Sequence, residues 1–240
     1  MKKFVLLILL CLIVFSSIAQ KSGKRDTLVN KDGISIKSQL IPLGLITTGA
    51  IIASTHTREY LQDQWGNTTC TKLDDYIQYI PDLTVFAAHF AGFKHKNTLL
   101  NTAKFMAISQ LTTAIIVQSC KRIFDVPRPY GGRYTFPSGH TSQAFVGATA
   151  QYHEFKDYSP WFAYCGYAFA AAVGAMRVTN NRHWVPDVLC GAGIGMLVTN
   201  IVYYYEPFKE WDPFKKKKYA FVPGLGFQGS TAVASLSFTF

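Results

Sequence analysis

Charge is scarce in this chain. Asp, Glu, Lys and Arg make up 16% of its 240 residues, against about a quarter in an ordinary soluble chain. The shortage argues against a solvated, disordered polypeptide and for large buried helices, contact with lipid, or both. Acidic charge is scarcest: 14 Asp and Glu stand beside 24 Lys and Arg, for a net charge of +10. That balance favours anionic partners, whether nucleic acid, an anionic membrane surface or a phosphorylated substrate. Cysteine is also sparse, five in all. None has the spacing of a metal-ligand set, and most lie in apolar helical stretches, where cysteine serves as a small buried hydrophobe. No clear carboxylate cluster offers a site for Mg²⁺ or Zn²⁺, so no metal or other cofactor is expected. There is no internal repeat.

What is present begins with an export signal. Met1-Lys2-Lys3 is a short basic start, Phe4 to Phe15 is an unbroken apolar run, and Ser17 and Ala19 are small. This is the layout of a secretory signal peptide over residues 1–19, cleaved after Ala19. The run is short for an uncleaved anchor. Cys11 does not make a lipoprotein signal, because Leu10 before it is not small and it sits deep in the apolar run. An exported chain works in the cell envelope, membrane-associated or periplasmic, and does not meet nucleic acid.

Residues 20–39 are polar and without period, a loose lead-in. Residues 40–206 form a series of apolar blocks separated by polar loops. The blocks are Leu40–Ser54, Leu73–Phe93, Leu99–Cys120, Thr141–His153, Trp161–Val178 and Val188–Tyr205, and their lengths and composition predict about six helices. Val188–Tyr205 approaches the length and apolarity of a membrane span. Leu99–Cys120 is broken by Lys104, Gln110 and Gln118 and fits an enclosed bundle equally well. Gly191, Gly193 and Gly195 are costly in a helix, which points to close helix packing. Residues 207–240 are a basic linker and tail. Lys215–Lys218 is followed by a stretch in which Ala234, Leu236, Phe238 and Phe240 alternate with Ser235, Ser237 and Thr239, the period of a strand. Pro223-Gly224 and Gly229-Ser230 are turn signals, so a β-hairpin over Tyr219–Phe240 is expected.

Three short stretches carry chemistry. In the first, Lys121 and Arg122 end a helix before a loop rigidified by Pro127 and Pro129, and Arg128 stands between those prolines. Lysine and arginine bind phosphate oxygens, as a point charge and as a planar fork, although basic residues also suit any helix C-terminus. In the second, Pro137-Ser138-Gly139-His140 opens a helix. Gly139 allows close approach of a ligand, a helix N-terminus favours an anion, Ser138 adds a hydroxyl, and His140 suits a proton donor. In the third, Arg177 precedes His183 by six and Asp187 follows His183 by four. The spacing lets the Asp187 carboxylate hold one imidazole nitrogen as N–H and leaves the other free to attack. Pro186 belongs in a first helical turn, so His183 should lie at the mouth of the last helix.

In order and spacing these stretches resemble the type 2 phosphatidic acid phosphatase and vanadium haloperoxidase superfamily. The family pattern of Lys, six residues and Arg-Pro is met by Lys121 and Arg128-Pro129. Pro-Ser-Gly-His is met by residues 137–140, and Arg, five residues, His, three residues and Asp by Arg177, His183 and Asp187. Met176 stands where a serine often precedes that arginine. The resemblance covers about residues 100–205 and implies an all-α bundle with the active site at one end. It implies roles as well: Lys121, Arg128, Ser138, Gly139 and Arg177 bind phosphate, His183 is the nucleophile, Asp187 orients it, and His140 protonates the leaving group. The expected substrate is a lipid phosphate such as phosphatidate, phosphatidylglycerophosphate, undecaprenyl pyrophosphate or lipid A. A small soluble phosphomonoester hydrolysed by an exported acid phosphatase is the alternative. A vanadate-dependent haloperoxidase and a non-catalytic envelope protein are the more distant ones.

Overall fold

The computed structural model describes residues 36–66, 71–213, 220–228 and 231–239. The expected signal peptide, most of the loose lead-in, Cys70 and the lysine run lie outside the described residues. Eight helices are described in the first unit of the chain: α1 (Ile36–Ala53), α2 (Thr57–Trp65), α3 (Asp74–Ile77), α4 (Ile80–Phe90), α5 (Leu99–Phe124), α6 (Gly139–Phe155), α7 (Pro160–Thr179) and α8 (Val185–Tyr205). The count exceeds six because one apolar block divides and one polar stretch forms a helix. The polar stretch after the first block forms a helix of its own, with α1 and α2 bent by 99° at the junction. The Leu73–Phe93 block divides at Tyr79, and Pro81 falls in the first turn of α4, where a proline costs no internal hydrogen bond. Helix α1 begins at Ile36, earlier than the apolar block alone indicates.

Helices α6 and α8 form the centre. Helix α8 packs on α1 and α6, and α6 packs on α4, α5, α7 and α8. The contacts are close because glycine permits them. A Cβ on Gly191 would stand 2.5 Å from the carbonyl oxygen of Ser138, and one on Gly195 would meet that of Ser142. The expected role of these glycines in helix packing is therefore what the structure shows. The core around them includes Ile46, Val85, Phe105, Phe136, Phe155 and Cys190, all nearly or fully buried.

The two longest apolar helices differ in how deeply they are buried. Helix α8 is enclosed: 78% of its apolar window is buried, against 33% for α5. In α5 the polar Thr102, Ser109 and Thr113 face inward with Phe105 and Val117, while Leu111, Ile115 and Ile123 are exposed. In a soluble amphipathic helix the buried stripe is mainly apolar and the outer face polar, whereas α5 mixes the two on both faces. Both helices are long and apolar enough to cross a membrane, and the bent α1–α2 pair passes the same test.

Residues 208–240 form a second compact unit. In it β1 (Ala220–Gln228) pairs antiparallel with β2 (Thr231–Thr239), from Ala220 opposite Thr239 to Gln228 opposite Thr231. The hairpin is thus present, but Pro223-Gly224 lies within β1 and is not its turn. Both strands are edges among the described residues, so a proline is tolerated there.

Candidate active site

Four loops and helix ends converge at one end of the bundle. Helix α5 delivers Lys121 in its last turn and stops at Asp125, which is left-handed with φ 49°. The loop that follows returns over itself: Thr135 N donates to Val126 O, and Arg128 N donates to Gly132 O. Lys121 Nζ donates to the carbonyls of Tyr134 at 2.9 Å and Thr135 at 3.1 Å, which locks the loop's far end. Helix α6 then starts at Gly139 with Ser138 as its cap. Ser138 N donates to Asp187 O, tying the start of α6 to that of α8.

The turn between α7 and α8 is as tight. Asn181 is left-handed, φ 54°, a conformation that Asn tolerates. The chain doubles back there, so both Arg182 N and His183 N donate to Arg177 O. Arginine and histidine six apart in sequence are brought together by these bonds.

His183 is 2% exposed and Asp187 1%. His183 Nδ1 lies 3.2 Å from Asp187 Oδ2 and 2.9 Å from Thr135 Oγ1. Asp187 Oδ2 also accepts from Thr135 Oγ1 at 2.6 Å and from Trp184 N at 3.0 Å. Thr135 gives its proton to the carboxylate, so its oxygen accepts from Nδ1. The imidazole is then held with N–H at Nδ1 and a lone pair at Nε2. Burial pushes the His183 pKa down to about 4, against the pull of Asp187. The ring is neutral at physiological pH, the form a nucleophile needs.

The cations converge on this pair. Arg128 lies in the field of Arg177, Arg182 and Asp187, and burial together with the two arginines lowers its pKa. Lys121 and Arg177 both act on His183. Arg177, 5% exposed, donates from Nη1 to Asp74 Oδ2 at 2.6 Å. Its Nε is buried without a hydrogen-bond partner among the described residues, and such a donor costs about 1–3 kcal/mol until an acceptor arrives. A Cβ on Gly139 would find only Val117 Cγ1, at 3.9 Å. The chain's own packing therefore does not require glycine there, and the space suits an incoming group.

Two of the expected site residues have partners within the chain. Ser138 is fully buried, and its hydroxyl accepts from Thr141 N and pairs with Thr141 Oγ1 at 2.9 Å, so its hydrogen bonds are those of a helix cap. His140 is half-buried, with Nε2 2.8 Å from Asp75 Oδ1. Burial and Arg177 lower its pKa, and Asp75 opposes them. Thr135, Asp74, Asp75 and Arg182 were not among the residues the sequence marks. Thr135 stands two positions before Pro137 and could have been flagged by that adjacency. The two aspartates had no such signal. Among the described residues no three His, Cys, Asp or Glu side chains are grouped to hold a metal ion.

A buried histidine–carboxylate pair among arginines beside a helix N-terminus is a setting that suits an anion. Residues 99–211 match the model of the PAP2 superfamily. The chain is similar to Lipid A 1-phosphatase of Porphyromonas gingivalis, 35% identical over 147 residues, which are 60% of this chain and 33% of that protein. It is also similar to Lipid phosphate phosphatase 1 of Arabidopsis thaliana, 33% identical over 125 residues, 44% of this chain and 38% of that one. The chain thus spans well under half the length of either relative. Among solved structures, Aquifex aeolicus LpxE matches with a TM-score of 0.48 at 22% identity, over 61% of this chain and 93% of that one. The first transmembrane PAP2 type phosphatidylglycerolphosphate phosphatase from Bacillus subtilis matches with a TM-score of 0.48 at 19% identity, over 73% and 100%.

Proposed function

We propose that this protein is a phosphatase that removes the phosphate of a lipid phosphomonoester through a phosphohistidine on His183. The observation that carries the proposal is the buried His183–Asp187–Thr135 arrangement, which leaves Nε2 as a neutral nucleophile facing a cluster of cations.

Phosphoryl transfer needs alignment and charge neutralisation more than covalent chemistry from the protein. Arg128 and Arg177 are placed to neutralise the equatorial oxygens, with Arg177 Nε the donor in need of an acceptor. Lys121 holds the 134–135 backbone through two carbonyls and adds its charge to the same region. The N-terminus of α6 contributes Gly139 and the positive end of the helix dipole. Ser138 supports that N-terminus as its cap. His183 Nε2 attacks phosphorus as the bond to the leaving oxygen breaks. His140 gives the leaving oxygen its proton, and a water then displaces the imidazole to release phosphate. The charge is met by side chains and backbone, so turnover should survive EDTA and be blocked by vanadate, a mimic of the five-coordinate transition state. Loss of activity on chelation, restored by Mg²⁺ or Zn²⁺, would place the enzyme in another mechanistic class.

Two observations support a lipid as the carrier of the phosphate. The curated relatives are named for lipid phosphate hydrolysis, and α5 is long and apolar enough to cross a membrane and leaves Leu111, Ile115 and Ile123 exposed. We therefore place the bundle in the membrane of the cell envelope. The assay is phosphate release in detergent from phosphatidate, phosphatidylglycerophosphate, undecaprenyl pyrophosphate, lipid A and soluble phosphomonoesters. A preference of tenfold or more in kcat/KM for one of the lipids is expected. Equal or better turnover of the soluble esters would make the protein a broad-specificity exported phosphatase instead.

A further inference from the structure

Helix α3 is a single turn, yet it sets two successive carboxylates against the site from a segment outside the residues that match the family. The two do different things. Asp74 is buried and accepts from Arg177 Nη1 at 2.6 Å and Asn180 Nδ2 at 3.3 Å. Asn180 in turn exchanges hydrogen bonds with the backbone of Thr71, which fastens the entry of α3 to the end of α7. Asp75 keeps 49% of its side chain exposed. Its Oδ1 lies 2.8 Å from His140 Nε2 and 3.5 Å from Arg177 Nη1. Asp74 thus holds the arginine, and Asp75 faces the histidine.

We propose that Asp75 is the positioning residue of the general acid: it holds His140 by Nε2 and so makes Nδ1 the nitrogen that delivers the proton to the leaving group. This rests on the reading of His140 as the acid. A half-exposed ion pair adds little stability, so a role in the chemistry is the better reason for the contact. His140 needs help to hold its proton. It sits in the first turn of α6, where the helix dipole disfavours an imidazolium. Partial burial and the Arg177 guanidinium act in the same direction. The charged groups facing it are Arg177, Asp74 and Asp75, and of these Asp75 alone makes a hydrogen bond to the ring.

The steps balance. In the first half-reaction the bond from phosphorus to the leaving oxygen breaks, the bond from phosphorus to His183 Nε2 forms, and the His140 Nδ1 proton moves to the leaving oxygen. His140 keeps its Nε2–H on Asp75 and now has a lone pair at Nδ1. In the second half-reaction the water oxygen bonds to phosphorus, the P–N bond breaks, and a water proton returns to Nδ1. Asp75 keeps the ring in one orientation through both transfers.

The test compares Asp75→Asn, Asp75→Glu and His140→Ala on phosphatidate in detergent, whose alkoxide needs a proton, and on p-nitrophenyl phosphate, whose leaving group needs little. Asp75→Asn should lower kcat on phosphatidate by about 10–100-fold, part of the span of general acid catalysis. That loss should exceed the loss on p-nitrophenyl phosphate by at least tenfold, with KM nearly constant. Removing the anion lowers the proton affinity of His140, so the alkaline limb of kcat/KM on phosphatidate should move to lower pH. Asp75→Glu should recover part of both effects. Equal losses on the two substrates, or an unmoved alkaline limb, overturn the assignment of Asp75. If His140→Ala itself shows no dependence on the leaving group, the acid assignment of His140 falls and the role of Asp75 falls with it.

Discussion

Thr135 ties His183 to Asp187. Its hydroxyl donates to Asp187 at 2.6 Å and lies 2.9 Å from His183 Nδ1, so one side chain fixes both members of the pair. Thr135→Val keeps the shape and removes the hydroxyl. Leaving buried polar groups short of a partner costs about 1–3 kcal/mol, so kcat should fall roughly ten- to hundredfold. Thr135→Ser should restore most of it. A valine variant with wild-type kcat would remove Thr135 from the site. His183 offers a second measurement. Its pKa lies near 4 in the fold, against 6.5 for an ordinary histidine. Between those values the unfolded chain binds a proton that the folded chain refuses. Stability contributed by this group is therefore present above about pH 6.5 and lost as the pH falls towards 4. Nitrogen NMR of labelled His183 should show a neutral ring down to at least pH 5, and a midpoint near 6.5 would contradict the burial-driven shift. At this scale the sequence disclosed what covalent spacing encodes. His183 and Asp187 are one helical turn apart, and Pro186 placed them at a helix start. Asp74 lies 103 residues from Arg177 and Asp75 lies 65 from His140; contacts closed by tertiary packing leave no local pattern to read.

Among the helices, the sequence leaves α5 open between a span and an enclosed helix. Lys104, Gln110 and Gln118 do interrupt an apolar run, but Thr102, Ser109 and Thr113 repeat at helical spacing and share the inward face. Large apolar residues, Leu111, Ile115 and Ile123, are among those left exposed. Composition averages the two faces and does not say which residues each one carries. The glycines of α8 were legible because three of them at alternate positions have no other use in a helix. Gly195 is the cleaner test, since its added Cβ would strike Ser142 O of α6. Gly195→Ala should lower the melting midpoint in detergent by several degrees, in line with the about 1–3 kcal/mol of an overpacked contact. Gly44→Ala is the matched control: nothing lies within 4 Å of its added Cβ, and alanine gains about 0.5–1 kcal/mol over glycine within a helix. It should leave the midpoint unchanged or raise it. Equal destabilisation by both substitutions would mean that helix contact through Gly195 is not what makes its glycine necessary.

At the scale of the molecule, the chain divides into a helical unit that carries every candidate site residue and a separate unit, residues 208–240, that carries the hairpin. The period-two alternation made the hairpin readable. Its register was not readable, because Pro223-Gly224 looks like a turn and a two-stranded ribbon accepts it in a strand. Removing residues 208–240 should leave hydrolysis of p-nitrophenyl phosphate within about threefold of the full chain, since the site is built upstream; abolished turnover in a folded truncation would bring the hairpin into the site. Under the proposed function, Lys121, Arg128, His140, Arg177 and His183 of the helical unit act on one phosphoryl group. The most direct test is a covalent trap. The purified protein is mixed with substrate labelled in the phosphoryl group, quenched in alkali within the first turnover, digested and mapped. The label should sit on His183, survive alkali, be released by acid, and be absent from a folded His183→Ala variant that releases no phosphate. Label on another residue, or a His183→Ala variant that still turns over at near the wild-type rate, would contradict the phosphohistidine mechanism.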